Sequence, residues 1–189
     1  MDTKSLVNLT SKAWAMPILS SLHRGVAGRQ ATLLTATGAS RTAFAQSMDH
    51  LIKIGLMERN PGHGHPLRPE FRLTERGKYA AAIANKIQLV SADDDKRLLR
   101  KSWTVPVLRS LQSPRHFSDI KRDLQTITDR ALSQSLKSME ANDWVRRHVD
   151  QTARPPRSLY RAINTGHLIS QITAPAFRLD PSEPTPRST

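Results

Sequence analysis

The chain has 189 residues and carries 29 Lys/Arg against 16 Asp/Glu, a net charge of +13, with no cysteine. That length admits one domain or two small ones, and the missing cysteine excludes disulfides, thiol redox sensing and Cys-ligated zinc. No apolar run approaches the ~18 residues that span a bilayer.

The opening MDTKSLVNLT lacks the basic and apolar regions of a signal peptide, so the expected location is cytoplasmic, associated with the nucleoid. Residues 1–92 hold 12 Lys/Arg against 5 Asp/Glu, and residues 93–189 hold 17 against 11. An imbalance in both halves favours a polyanionic partner. Nucleic acid ranks ahead of a membrane surface, because no segment joins a basic face to a strong apolar one.

In chain order, WAMPILSSL (14–22) puts Trp14, Ile18, Leu19 and Leu22 at spacings of three and four, predicting an amphipathic helix. Pro17 lies near its start, where a missing N–H is tolerated. A short helix over RQATLLTAT follows, then the turn GAS (38–40), with Ser40 as a candidate N-cap. The next helix, RTAFAQSMDHLIKIGLMER (41–59), buries Phe44, Met48, Leu51 and Ile52 and runs into a strand at GLMERN. PGHGHPLRP is a turn-forming tip and EFRL the returning strand. TERGKYAAAIANKIQLV (74–90) reads as a closing helix.

The same order then recurs. WTVPVLRSL (103–111) matches WAMPILSSL at an offset of 89, and DRALSQSLKSMEANDWVRR (129–147) matches 41–59 at 88. PEFRLTERGKY (69–79) and RSLYRAINTGHL (157–168) align Phe71 with Tyr160 and Gly77 with Gly166. Three landmarks in one order at a nearly constant offset define a tandem duplication. Ser91 and Asp93–Asp95 suit a helix start at the junction, although three acids also invite a metal reading. In copy two, HFSDIKRDL is a short helix with Ser118 as a possible cap and Phe117, Ile120 and Leu124 inward. Thr128 caps the following helix, which buries Leu132, Leu136 and Met139. DWVRRHVD and SLYRAI are strands joined by the tip QTARPPR. The expected fold is mainly α with small β-hairpin wings, as two tandem winged helix-turn-helix domains over 5–90 and 91–173. A disordered tail over 174–189 follows.

The stretch KSWTVPVLRSL…HFSDIKRDL…ITDRALSQSLKSMEANDWVRRHV…PPRSLYRAINTG resembles the HxlR-type winged-helix transcriptional regulators. Their pattern has a Trp-bearing core helix, an F-x-[DE]-[IL] second helix, an S-x-[RK]-x-L-[ST]-x-x-L recognition helix and a P-P-[RK]-x-x-Y wing. Copy two carries nearly all of it, from about Leu98 to Ile172. Copy one matches more loosely, with ATLLTAT for the second helix and a Gly/His-rich wing, and is equally similar to a MarR-like winged helix. Members are usually one-domain chains that dimerise through their terminal helices, so the resemblance implies a covalent pseudo-dimer that regulates transcription.

With the apolar positions turned inward, the opposite helix faces carry Arg41, Thr42, Ala45, Gln46 and Asp49 in copy one, and Asp129, Arg130, Ser133, Gln134 and Lys137 in copy two. Gln can bond adenine bidentately, Arg or Lys guanine, and Ser or Thr either bases or phosphates. Arg59, Arg68 and Arg72 flank the first wing, and Arg147, Arg154 and Arg157 the second, where they suit phosphates or a minor groove. The expected partner is double-stranded DNA, with a homodimer of whole chains and an unknown small-molecule effector left open. His63 and His65 read as a titratable wing tip or as part of a metal site; Trp14, Trp103 and Trp144 read as core anchors or ligand stackers. No nucleophile–base pair, phosphate-binding glycine loop or paired carboxylates appear, so neither an enzyme nor a cofactor is expected. An architectural or replication/partition scaffold without strong sequence preference stands as the alternative function.

Overall fold

A computed structural model describes residues 3–60, 70–151, 154 and 156–174. Copy one runs α1 (Thr3–Thr10), α2 (Ala15–His23), α3 (Gln30–Thr37), α4 (Arg41–Lys53), β1 (Met57–Asn60), β2 (Glu70–Leu73) and α5 (Glu75–Val90). Copy two runs α6 (Lys96–Leu99), α7 (Thr104–Ser110), β3 (Arg115–His116), α8 (Phe117–Leu124), α9 (Asp129–Glu140), β4 (Val145–Asp150), β5 (Arg157–Ala162) and α10 (Asn164–Thr173). The fold is mainly helical with small antiparallel hairpins, two tandem winged helix-turn-helix units. Residues 175–189 of the expected tail lie outside the described residues.

The apolar stripes meet as their spacing requires. Ile18 and Leu19 on α2, Phe44, Met48 and Leu51 on α4, and Leu132, Leu136 and Met139 on α9 are all buried, whereas Ile52 is half-buried. Pro17 and Pro106 each occupy the third residue of their helices, where the unmade N–H bond costs nothing. β1 pairs with β2, and β5 lies between β3 and β4. Copy one has only an isolated bridge, Arg29 to Glu70, where copy two has β3.

Three features differ from the expectations of the sequence. Ser118 does not cap α8: the cap position is His116, in extended backbone with no side-chain cap, because β3 hands the chain straight into the helix. Ser91 does not start a helix but ends α5, its hydroxyl donating to the Ile87 carbonyl at 2.8 Å. Of the three acids that follow, Asp95 accepts from the Ala92 N–H at 3.2 Å and Asp93 pairs with Lys96. A hydrogen bond from Lys96 and the charge of its ammonium hold the Asp93 carboxyl below its ordinary value. The third difference is α1, which the residue pattern does not announce; it buries Leu6, Leu9 and Thr10.

The buried apolar residues of the two copies form one continuous core. Helix α5 packs on α2 within its own copy and on α10 of the other; α10 in turn packs on α7. Helix α1 lies against α2 but also against α7 and α8 of copy two. Thr10 Oγ1 donates to the Ser102 carbonyl at 2.7 Å, and Arg109 donates to Thr3 Oγ1 at 2.9 Å. The Arg100 guanidinium stands 4.7 Å from the centre of the Trp14 ring, a cation–π contact that joins the copies.

The aligned glycines have one structural reason. A Cβ at Gly77 would come within 1.8 Å of the Leu56 carbonyl oxygen, and one at Gly166 within 2.1 Å of the Trp144 carbonyl oxygen. In each copy the first turn of the closing helix thus rests on the backbone that enters the hairpin. Gly77→Ala and Gly166→Ala should each cost about 1–3 kcal/mol or more through overpacking, read as a lowered urea midpoint at unchanged m-value.

Candidate nucleic-acid interface

In each copy the helix after the turn has its entry fixed by a side-chain cap. Ser40 Oγ accepts from the Ala43 N–H at 3.3 Å, and Thr128 Oγ1 from the Ala131 N–H at 3.2 Å. These bonds satisfy donors that a helix start leaves open and set the angle at which α4 and α9 leave the preceding turn. That turn needs positive φ in both copies. Gly38 takes φ 68° after α3, while Gln125 takes φ 50°, ψ −57° after α8, a conformation that strains a residue with a Cβ.

On α4, Arg41, Thr42, Ala45, Gln46 and Asp49 are exposed, Ala45 and Gln46 side by side. On α9, Asp129, Arg130, Gln134 and Lys137 are exposed and Ser133 is half-buried. The repeated Gln-Ser pair divides between the two sides of the helix. Gln46 points to solvent, and Ser47 is buried with its hydroxyl donating to the Ala43 carbonyl at 2.9 Å. Asp129 is not a free acid, since Lys121 on α8 meets it at 2.6 Å. The remaining cations of α8 and β3 are also paired, Arg122 with Asp119 and Arg115 with Asp123. Arg130 and Lys137 are left as the unpaired cations of α9 among the described residues, as Arg41 and Lys53 are on α4.

The hairpins stand beside these helices. In β1–β2 the register sets Arg59 opposite Phe71 and Glu58 opposite Arg72. In β4–β5, Arg147 faces Tyr160 and its Nε donates to Ser158 Oγ at 2.9 Å. Arg154 and Arg157 are exposed at the far end of the second hairpin. Arg68, His63 and His65 lie outside the described residues. Trp144 is 2% exposed and belongs to the core, whereas Trp14 and Trp103 are half-buried at the starts of α2 and α7. Two basic residues are missed by sequence reasoning. Arg146 and Arg161 are exposed and directly opposite each other, and strand alternation around the buried Val145 and Ala162 is the signal that places them.

An open cleft of about 770 Å³ lies on copy one, between the end of α2, the outer face of the hairpin and the first turn of α5; it is lined by His23, Glu58, Arg72 and Lys78 among others. No residue of α4 lines it. Among the described residues, no helix is long and apolar enough to cross a membrane, and no three His, Asp or Glu side chains gather as a metal site.

Two capped helices, each with a polar outer face and a neighbouring hairpin, define a tandem winged helix-turn-helix protein of the DNA-binding class. The family model for the HxlR-like helix-turn-helix matches residues 9–93 and again 98–176. The chain belongs to that family, in duplicate, and the looser first copy is included in the match. Among curated proteins and solved structures, nothing matches the chain. The family is one of DNA-binding transcriptional regulators.

Ser40→Ala and Thr128→Ala should each cost about 1 kcal/mol, measured by thermal unfolding. Gln125→Gly should move the other way, raising the unfolding midpoint, because strain of about 1–3 kcal/mol is relieved at that position.

Proposed function

We propose that the protein is a sequence-specific transcriptional regulator whose two headpieces act as a covalent pseudo-dimer on paired half-sites. The observation that carries this reading is the pair of capped helices presenting Gln46 and Gln134 at the same helical slot, each beside a hairpin. The working units are residues 5–90 and 91–173, and their half-sites lie about one helical turn apart, ~34–36 Å.

Within each headpiece the roles divide by chemistry. Gln46 and Gln134 suit adenine N6/N7, and Arg41, Arg130 and Lys137 suit guanine O6/N7. Thr42 and Ser133 suit bases or phosphates, with the half-buried Ser133 nearer the helix packing side. Arg59, Arg68, Arg147, Arg154 and Arg157 hold phosphates or an adjacent minor groove. Because Arg41 and Thr42 in one copy correspond to Asp129 and Arg130 in the other, the operator is asymmetric for a single chain. A homodimer of whole chains would restore symmetry to the site. A small-molecule effector would act by changing how the headpieces sit relative to each other.

Selection of bound duplexes from a random pool should return one asymmetric motif. Equal affinity for scrambled DNA at physiological salt would sink the regulator reading and favour an architectural or replication/partition scaffold. Arg130→Ala and Gln134→Ala should each relax discrimination at one base position by about 1–3 kcal/mol, whereas Arg154→Ala should weaken all sequences alike.

A further inference from the structure

The two recognition helices carry equal numbers of unpaired cations, but the two hairpin stems do not. Strands β1 and β2 hold two arginines, Arg59 and Arg72, against two glutamates, Glu58 and Glu70. Glu70 is shared by Arg72 at 3.9 Å and Arg29 at 3.5 Å. Strands β4 and β5 hold four arginines, Arg146, Arg147, Arg157 and Arg161, against the single acid Asp150. Asp150 is turned to His116, whose Nε2 lies 3.8 Å away. Asp150 also lies opposite Arg157 in the register; among the described residues, Arg146, Arg147 and Arg161 have no carboxylate within ion-pair distance.

The register sharpens the contrast. Arg146 and Arg161 are directly opposite on one face of the sheet, where copy one has Glu58 opposite Arg72. Like charges directly opposite on a sheet are destabilising by a few tenths of a kcal/mol to about 1 kcal/mol, and the arrangement becomes favourable only when an anion lies over it. On the other face, Arg147 is held by the neutral Ser158 hydroxyl, which orients the guanidinium without using its charge. A hairpin whose tip enters a minor groove only ~6 Å wide has a phosphate strand on each side, so cations on both faces of the stem have a use.

We infer that the electrostatic grip on DNA is polarised: the copy-two stem holds the phosphate backbone through Arg146, Arg147, Arg157 and Arg161, and the copy-one stem adds no more than the single contact of Arg59. This rests on the DNA-binding reading above. Copy two is then the anchor, and copy one adds discrimination more than adhesion.

The test is the salt dependence of binding to a duplex of random sequence, followed by fluorescence anisotropy on the full chain. Each phosphate that a variant no longer neutralises should flatten the slope of log K against log[salt] by roughly 0.9. The quadruple variant R146Q/R147Q/R157Q/R161Q should therefore flatten it by at least about 2, and R59Q/R72Q by less than about 1. Removing the copy-one acids with E58Q/E70Q should steepen it, since Arg29 and Arg72 are released. Circular dichroism and the unfolding midpoint check that each variant is folded. Equal flattening from the two stems, an unchanged slope in the quadruple variant, or no steepening in E58Q/E70Q would overturn the inference while leaving DNA binding intact. A wild-type chain that binds no duplex would overturn the DNA reading, and the inference with it.

Discussion

Helix α5 has alanine at positions 80, 81 and 84, each fully buried, with Ile83 and Ile87 between and beyond them. Small side chains let a helix approach its neighbours closely, and α5 has two large ones, α2 in its own copy and α10 in the other. This packing makes one core out of two repeats. Thr10, Arg109 and the Arg100–Trp14 contact add polar and cation–π ties along the same boundary. Their individual worth is small compared with the apolar area buried there.

Much of this organisation is legible in the residues because periodic burial leaves a periodic sequence. The spacings of Phe44, Met48 and Leu51, and of Leu132, Leu136 and Met139, identify both recognition helices, and Ser40 and Thr128 mark their starts. Gly77 and Gly166 appear in the sequence only as aligned landmarks; the structure supplies their cause, a helix turn seated on a carbonyl. Features that depend on tertiary partners leave no such trace. Strand β3 is two residues long and exists because β5 is beside it. Helix α1 is eight residues with few apolar side chains, stabilised by neighbours almost a hundred positions away. Ser118 and Ser91 are good capping residues, and their roles are decided by what precedes each helix rather than by type.

The candidate interface is legible in outline for the same reason and incomplete for another. Outer-face residues follow from knowing the inner face, which is why Gln46 and Gln134 can be named. Whether a charge is available is not a local property. Lys121 neutralises Asp129 across a turn, and Glu70 occupies two arginines from different elements. Counting cations along the chain makes the halves look similarly basic, whereas pairing them in space concentrates unpaired arginine on the second hairpin stem among the described residues.

The placement of α1 also has a consequence for the order in which the protein matures. Thr3 is met by Arg109, a partner 106 positions later, and α1 also packs on α7 and α8, so that side of α1 stays uncovered until those helices have left the ribosome. At about 5–20 residues per second that interval is on the order of 5–20 s. The first repeat can form its hairpin and its capped helix early, but its first helix has only its first-repeat neighbours, α2 among them, until the second repeat arrives. The duplication thus makes the seating of α1 wait on residues of the second repeat.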